Sequence, residues 1–99
     1  MKKCIAIVLA VLLLVGLTAC AKPQSTDLLK TIQERGTIIV AMEGTWAPWT
    51  YHDESNALVG YDVEVAQAIA AKLGVEAQFV EGEWDGLLSG LSAGRYDIM

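Results

Sequence analysis

Ninety-nine residues allow one small domain at most. The chain is 54% hydrophobic with a formal net charge of −5, but sixteen of its first twenty residues are apolar and two of its seven basic residues, Lys2 and Lys3, lie among them. Beyond that segment five basic residues stand against twelve acidic ones, a balance of −7. Such a surface repels phosphates, which argues against nucleic acid as a partner. Two cysteines and one histidine argue against a zinc finger, a cysteine-rich metal cluster and a disulfide-stapled fold. Phosphate-cradling glycine loops, nucleophile elbows, zinc-hydrolase and calcium-loop motifs are all missing from the sequence, so neither a cofactor nor a metal is expected.

Lys2 and Lys3 open the chain, an apolar run from Ile5 to Leu17 follows, and the segment closes on Leu17-Thr18-Ala19-Cys20. That is the layout of a signal peptide. A membrane span needs about 20 apolar residues, and this run is shorter and is followed by Thr18, Lys22, Pro23, Gln24 and Ser25. The ending resembles the bacterial lipobox, in which the cysteine is diacylglycerated and cleavage just before it makes the lipidated residue the new N-terminus. The resemblance implies lipidation at Cys20, a lipoprotein signal peptide over 1–19 and a lipidated tether over 20–26. Two acyl chains hold a protein at a membrane lastingly, where one does so only marginally. The expected place is therefore extracytoplasmic, anchored to the cell membrane. Cys4 falls in the discarded segment.

From the tether onward the signals alternate. Ser25, Thr26 or Asp27 can cap a helix carrying Leu28, Leu29 and Ile32, with Gly36 placed as its stop after Arg35. Thr37 to Met42 is a β-branched run of strand length. Glu43 to Asn56 reads as a loop, with a short hairpin arm at Thr50 to His52. Asp62 is placed to cap a helix whose apolar face is Val65, Ala66, Ile69, Ala70 and Leu73, ended by Gly74. Val75 to Val80 reads as a second strand. Asp85 is placed to cap a helix through Leu87, Leu88 and Leu91 with Gly94 as its stop, and Tyr96 opens a third strand. The chain ends inside that strand, so the sequence is expected to continue.

Strand, helix, strand, helix, strand is the pattern of an α/β fold with a βαβαβ parallel sheet and right-handed crossovers. Open sheets of this kind bind ligands beyond the carboxyl ends of their strands. Glu43 to Trp49 follows the first strand and Glu81 to Asp85 the second, so both loops should share one rim. A cleft lined by Trp46, Trp49 and Trp84, with Glu43 as its nearest charge, follows from the topology.

These residues carry a family resemblance. Glu43-Gly44-Thr45-Trp46-Ala47-Pro48-Trp49, Gly60-Tyr61-Asp62-Val63-Glu64-Val65-Ala66, Leu73-Gly74-Val75, Trp84-Asp85-Gly86-Leu87-Leu88 and Gly94-Arg95-Tyr96-Asp97-Ile98, in that order, resemble the family 3 extracellular solute-binding proteins, the polar amino-acid receptors of bacterial ATP-driven importers. The resemblance implies a type II periplasmic-binding-protein-like clamshell, with residues 27–99 the N-terminal part of its first lobe. It also implies an amino acid held between two lobes, delivery to an ABC permease, a monomer, and no catalysis. The Glu43-Gly44-Thr45 and Trp84-Asp85-Gly86 pieces look most like the cystine-type receptors. The family's ligand-contacting acid falls on Glu43 and its aromatic walls on Trp46 and Trp84. Its carboxylate clamp comes after the third strand, past Met99.

Other roles compete for several of these residues. Glu43 could cap a nearby turn, and Trp46 and Trp84 could fill a core. Trp49 and Tyr51 are read as core or hinge packing, Asp62 and Asp85 as helix caps, and Glu64, Glu76, Glu81 and Glu83 as solvated charges. Arg95 is read as packing or surface solvation, and the Gly86, Gly90, Gly94 spacing as close helix packing. His52 stands alone in sequence, which argues against metal ligation. Two further functions stay open: an enzyme, since relatives of the fold include a dehydratase and transglycosylase-associated domains and Glu43 with Asp85 could act as acid and base, and the sensor lobe of a receptor.

Overall fold

The computed structural model describes residues 27–99. The readings of 1–26, with lipidation at Cys20, lie outside the described residues. Asp27 caps the first helix, α1 (Leu28–Arg35): its Oδ1 accepts the Lys30 N–H at 3.1 Å. Gly36 closes it in the left-handed conformation, φ 76°, and donates its N–H to the Ile32 carbonyl. The chain turns there into β1 (Thr37–Met42), β-branched in four of its six residues.

β1 is the central strand. It pairs in parallel with β5 (Glu76–Glu81) on one side and, through a single bridge between Val40 and Ile98, with the end of the chain on the other. Alternation along β1 separates two cores. Ile38, Val40 and Met42 pack with Ile32, Val63, Ala66 and Ala70 on one face, while Ala41 packs with Leu87 and Tyr96 on the other. Helix α2 (Tyr61–Leu73) covers the first face and α3 (Trp84–Ser92) the second. A small antiparallel sheet, β2 (Thr45–Trp46), β3 (Thr50–His52) and β4 (Leu58–Val59), is inserted between β1 and α2.

Four local expectations are corrected. Tyr96 opens no strand: it packs in the second core, and the segment pairs with β1 only through the Val40–Ile98 bridge. Asp62 does not cap α2. The N-cap is Gly60, and the first helical N–H groups, of Tyr61 and Asp62, donate to the carbonyls of Pro48 and Trp49 at 3.1 and 3.0 Å. This docking also sets the helix's rotation. The buried stripe is Val63, Ala66 and Ala70 with half-buried Leu73, while Val65 and Ile69 are exposed. Both stripes have helical spacing, and the small Ala66 and Ala70 allow the closer approach to the sheet. Asp85 does not cap α3 either: the N-cap is Glu83, and no side chain bonds to it locally.

An ion pair tethers the chain end to β1. The Asp97 carboxylate, whose side chain is 7% exposed, accepts from the Ile39 N–H at 2.7 Å and from the Arg35 guanidinium, which also bonds the Thr37 carbonyl. Asp97→Ala would leave the Ile39 amide unpaired, and the loss of a buried bond of this kind costs about 1–3 kcal/mol. Urea unfolding of the full-length protein should show a destabilisation in that range. Tyr96 closes the second core by lying over Gly90, where a Cβ would stand 2.6 Å from the phenol ring carbon Cζ, and its hydroxyl donates to the Leu87 carbonyl.

Candidate functional site

Met42 and Glu81, the last residues of β1 and β5, are opposite one another, and the Gly82 N–H donates to the Met42 carbonyl at 3.0 Å. The loops that follow these strands therefore leave the sheet side by side, at its carboxyl rim. With the starts of β3 and α2 they bound an open cleft of about 610 Å³. Buried Ala41, Met42 and Leu87 line it together with exposed Trp46, Trp49 and Trp84, the polar Glu43, Thr50 and Asp62, and Met99.

Each expected site residue reaches this cleft by a traceable route. Glu43 follows β1 directly and is half-buried; its Oε1 accepts the Trp84 N–H at 3.2 Å. One acid thus spans the rim and satisfies the first amide of α3, where a helix's positive end favours a negative group. A carboxylate has about four lone-pair sites, so this bond leaves Glu43 able to accept from a ligand. The competing cap role is real, but the helix it serves begins 41 residues later. Gly44 turns the chain back at φ 75°, and the buried Thr50 hydroxyl accepts its N–H at 2.9 Å. That turn projects Trp46 outward, 61% exposed, while Trp84 is 65% exposed at the start of α3. Neither indole fills the core, and both line the same cleft.

Trp49 had two readings from sequence, a cleft wall by topology and core or hinge packing by its place along the loop. The structure favours the first: it is 52% exposed and lines the cleft, its ring meeting Tyr61 edge-on with centroids 5.8 Å apart and planes at 89°. Because its carbonyl receives the α2 N-terminus, its backbone is fixed at the rim and its side chain turns out. Asp62 lines the cleft for the same reason. The signal that placed Trp49 there was the strand order, which puts the loop after β1 at the binding rim. Asp85, the partner in the acid–base alternative, does not line the cleft.

A second tie crosses the rim. His52 Nε2 meets Glu81 Oε1 at 2.6 Å, and its Nδ1 meets the Asn56 carbonyl at 3.1 Å. Glu81 is therefore paired, not merely solvated. The bond to Glu81, then that to Asn56, raises the His52 pKa above its ordinary 6.5. A raised pKa means stability present below pH 6.5 and lost as pH climbs through the folded value. Asp53 is shifted the other way, lowered first by the Ser55 hydroxyl, so its contribution is lost only as pH falls below about 3.8. The thermal midpoint should therefore fall as pH is raised above about 6.5, and His52→Gln should flatten that part of the profile. Among the described residues no group of three His, Cys, Asp or Glu could hold a metal, and no helix is long and apolar enough to cross a membrane.

Comparison with known proteins gives a consistent result. The sequence profile of the bacterial extracellular solute-binding proteins, family 3, matches residues 38–99. The L-cystine-binding protein TcyA of Bacillus subtilis is 35% identical over all of this chain and 41% of its own length. The crystal structure of the L-cystine solute receptor of Neisseria gonorrhoeae in the unliganded open conformation is 51% identical, with a TM-score of 0.67 over 73% of this chain and 31% of that one. The cyclohexadienyl dehydratase of Pseudomonas aeruginosa is 34% identical over 71% of this chain and 26% of its own. The chain spans between 28% and 41% of the length of the first curated relatives it matches. Its described residues have the α/β fold of a type II periplasmic-binding-protein lobe. By profile, by sequence likeness to the cystine-binding members and by fold, the chain belongs to the bacterial extracellular solute-binding proteins, family 3.

Proposed function

We propose that this chain is the first-lobe part of a substrate-binding lipoprotein that captures a polar amino acid, cystine foremost, and delivers it to an ABC permease. The observation that carries the reading is the gathering of Glu43, Trp46 and Trp84 on one cleft at the carboxyl rim of parallel strands. An amino acid brings an ammonium group. A carboxylate can pair with it, and an indole face attracts it by about 0.5–2 kcal/mol depending on desolvation. Glu43, Trp46 and Trp84 are the ligand contacts in this reading, and residues beyond Met99 supply the second lobe and the carboxylate clamp. Closure of the two lobes around the solute forms the state that the permease recognises. Capture needs no chemistry, so the protein is not an enzyme in this account.

Residues 1–19 act as a lipoprotein signal peptide, Cys20 carries the lipid, 20–26 form the tether, and 27–99 belong to the solute-binding domain. The anchor places a monomeric receptor at the outer side of the cell membrane. Cys20→Ala should move the protein from the membrane fraction to the soluble one, measured by fractionation and immunoblotting.

The reading is tested by calorimetry of the full-length protein against the twenty amino acids and cystine. One tight ligand is expected. The dehydratase relative gives the competing reading a definite form: binding of none of these compounds, together with turnover of a cyclohexadienyl carboxylate, would replace the receptor by an enzyme.

A further inference from the structure

His52 stands where three rim segments meet. It ends β3, whose first residue, Thr50, pairs with Trp46 in β2, and its Nε2 meets the carboxylate of Glu81, which ends β5 three residues before Trp84. The Gly44 turn, between Glu43 and Trp46, lies against the same pair: a Cβ on Gly44 would stand 3.0 Å from the Glu81 carboxyl carbon and 3.4 Å from His52 Nε2. One contact thus joins the segment bearing Trp46 to the segment bearing Trp84.

The ring's two contacts specify its charge. Nε2 faces the Glu81 carboxylate at 2.6 Å and Nδ1 faces the Asn56 carbonyl at 3.1 Å. Both partners are acceptors. A neutral imidazole has a single N–H, so either tautomer sets a nitrogen lone pair against an oxygen, and only the imidazolium, a donor at both nitrogens, makes the two bonds together. Asn56 presents its carbonyl from a left-handed turn, φ 63°, closed by its own N–H to the Asp53 carbonyl at 2.9 Å. The charged groups that act on the ring are Glu81, from β5, and Asp53, beside it in the loop after β3. Both are acids that favour the cation, and the β1–β2 turn packed against the ring brings only uncharged Gly44.

We propose that the His52–Glu81 pair is a proton-held latch that sets the spacing of the Trp46 and Trp84 segments, so that amino-acid binding weakens when His52 loses its proton. The inference rests on the amino-acid-receptor reading above and adds to it a dependence on pH. His52 and Glu81 are positioning residues: neither lines the cleft, and they act through the turn and the loop that carry Glu43, Trp46 and Trp84. While His52 is charged, both bonds are made and the two segments are pinned. Once it is neutral, one bond is lost, the binding-competent spacing is only partly populated, and the observed affinity falls with that fraction. The two side chains are 33% and 42% exposed, so the change in affinity is that of an exposed pair, about two- to fivefold.

The test is calorimetry of the full-length protein between about pH 5 and 8, with the tightest binder among L-cystine and the twenty amino acids. Wild type should bind about two- to fivefold more weakly at the upper end, relative to His52→Gln at the same pH. Taking that ratio removes the ligand's own titration. Glu81→Gln keeps an acceptor for Nε2 and removes the charge, so its loss of affinity should begin at lower pH than in wild type. Linkage gives a readout that a merely stabilising pair would not move: saturation with the ligand should raise the midpoint of the His52 imidazole titration, followed by NMR, by the same factor. The signal is assigned by its absence from His52→Gln. A ratio of wild type to His52→Gln that stays constant with pH, a Glu81→Gln profile that superimposes on wild type, or an imidazole midpoint unmoved by the ligand would overturn the latch and leave the amino-acid receptor standing. A wild type that binds no amino acid at any pH would overturn both.

Discussion

Replacing Gly60 by alanine is expected to destabilise the protein by about 3 kcal/mol or more, combining backbone strain with a steric clash. Gly60 sits at φ 129°, ψ 173°, a region closed to residues with a side chain. A Cβ there would stand 2.6 Å from the Trp49 carbonyl carbon and 2.9 Å from the Pro48 carbonyl oxygen. These are backbone groups and cannot swing aside as a flexible side chain would. They are also the acceptors for the first amides of α2, so a shift that relieves the clash breaks the docking of the helix that covers the larger core. Gly36→Ala separates the two causes. Gly36 has φ 76° but nothing within 4 Å of its Cβ position, so it should cost only about 1 kcal/mol. Urea unfolding of the two full-length variants measures the difference. Similar losses would mean that the Pro48–Trp49 carbonyls do not hold α2 as described.

Glu43→Gln should cost binding and little stability. A glutamine Oε1 can still accept the Trp84 N–H that Glu43 now receives at 3.2 Å, so the tie across the rim survives while the charge is lost. A charge-assisted bond of about 1.5–3 kcal/mol corresponds to roughly ten- to hundredfold weaker amino-acid binding. Trp46→Ala and Trp84→Ala should weaken binding by about 2- to 30-fold each, the range of a cation over an indole face. Both indoles are more than half exposed, so these losses should come without a matching fall in the unfolding midpoint. Unaltered affinity in all three variants would remove Glu43, Trp46 and Trp84 from the proposed contacts.

Legibility from sequence followed the range of the interactions. α1 was readable apart from the choice of its cap among Ser25, Thr26 and Asp27, because cap and stop are satisfied within a few residues. The β-branched run of β1 and the periodicity of α2 were readable for the same reason. Parallel pairing of β1 with β5 followed from the strand–helix–strand order, and with it the sharing of one rim by two loops. Asp62 and Asp85 were misread because distant groups do the capping: the Pro48 and Trp49 carbonyls anchor α2, and Glu43 reaches the α3 amide. No local rule signals a partner 41 residues away. That same docking rotates α2 onto Val63 rather than Val65 and turns Trp49 toward the cleft. The Arg35–Asp97 and His52–Glu81 pairs were equally invisible, since each joins elements that meet only after the sheet has formed.

The most direct measurement is a crystal structure of the full-length protein with its amino acid bound. The account predicts the ligand's ammonium within hydrogen-bond reach of the Glu43 carboxylate, with the indoles of Trp46 and Trp84 against it. A bound amino acid that touches none of these three side chains would contradict it.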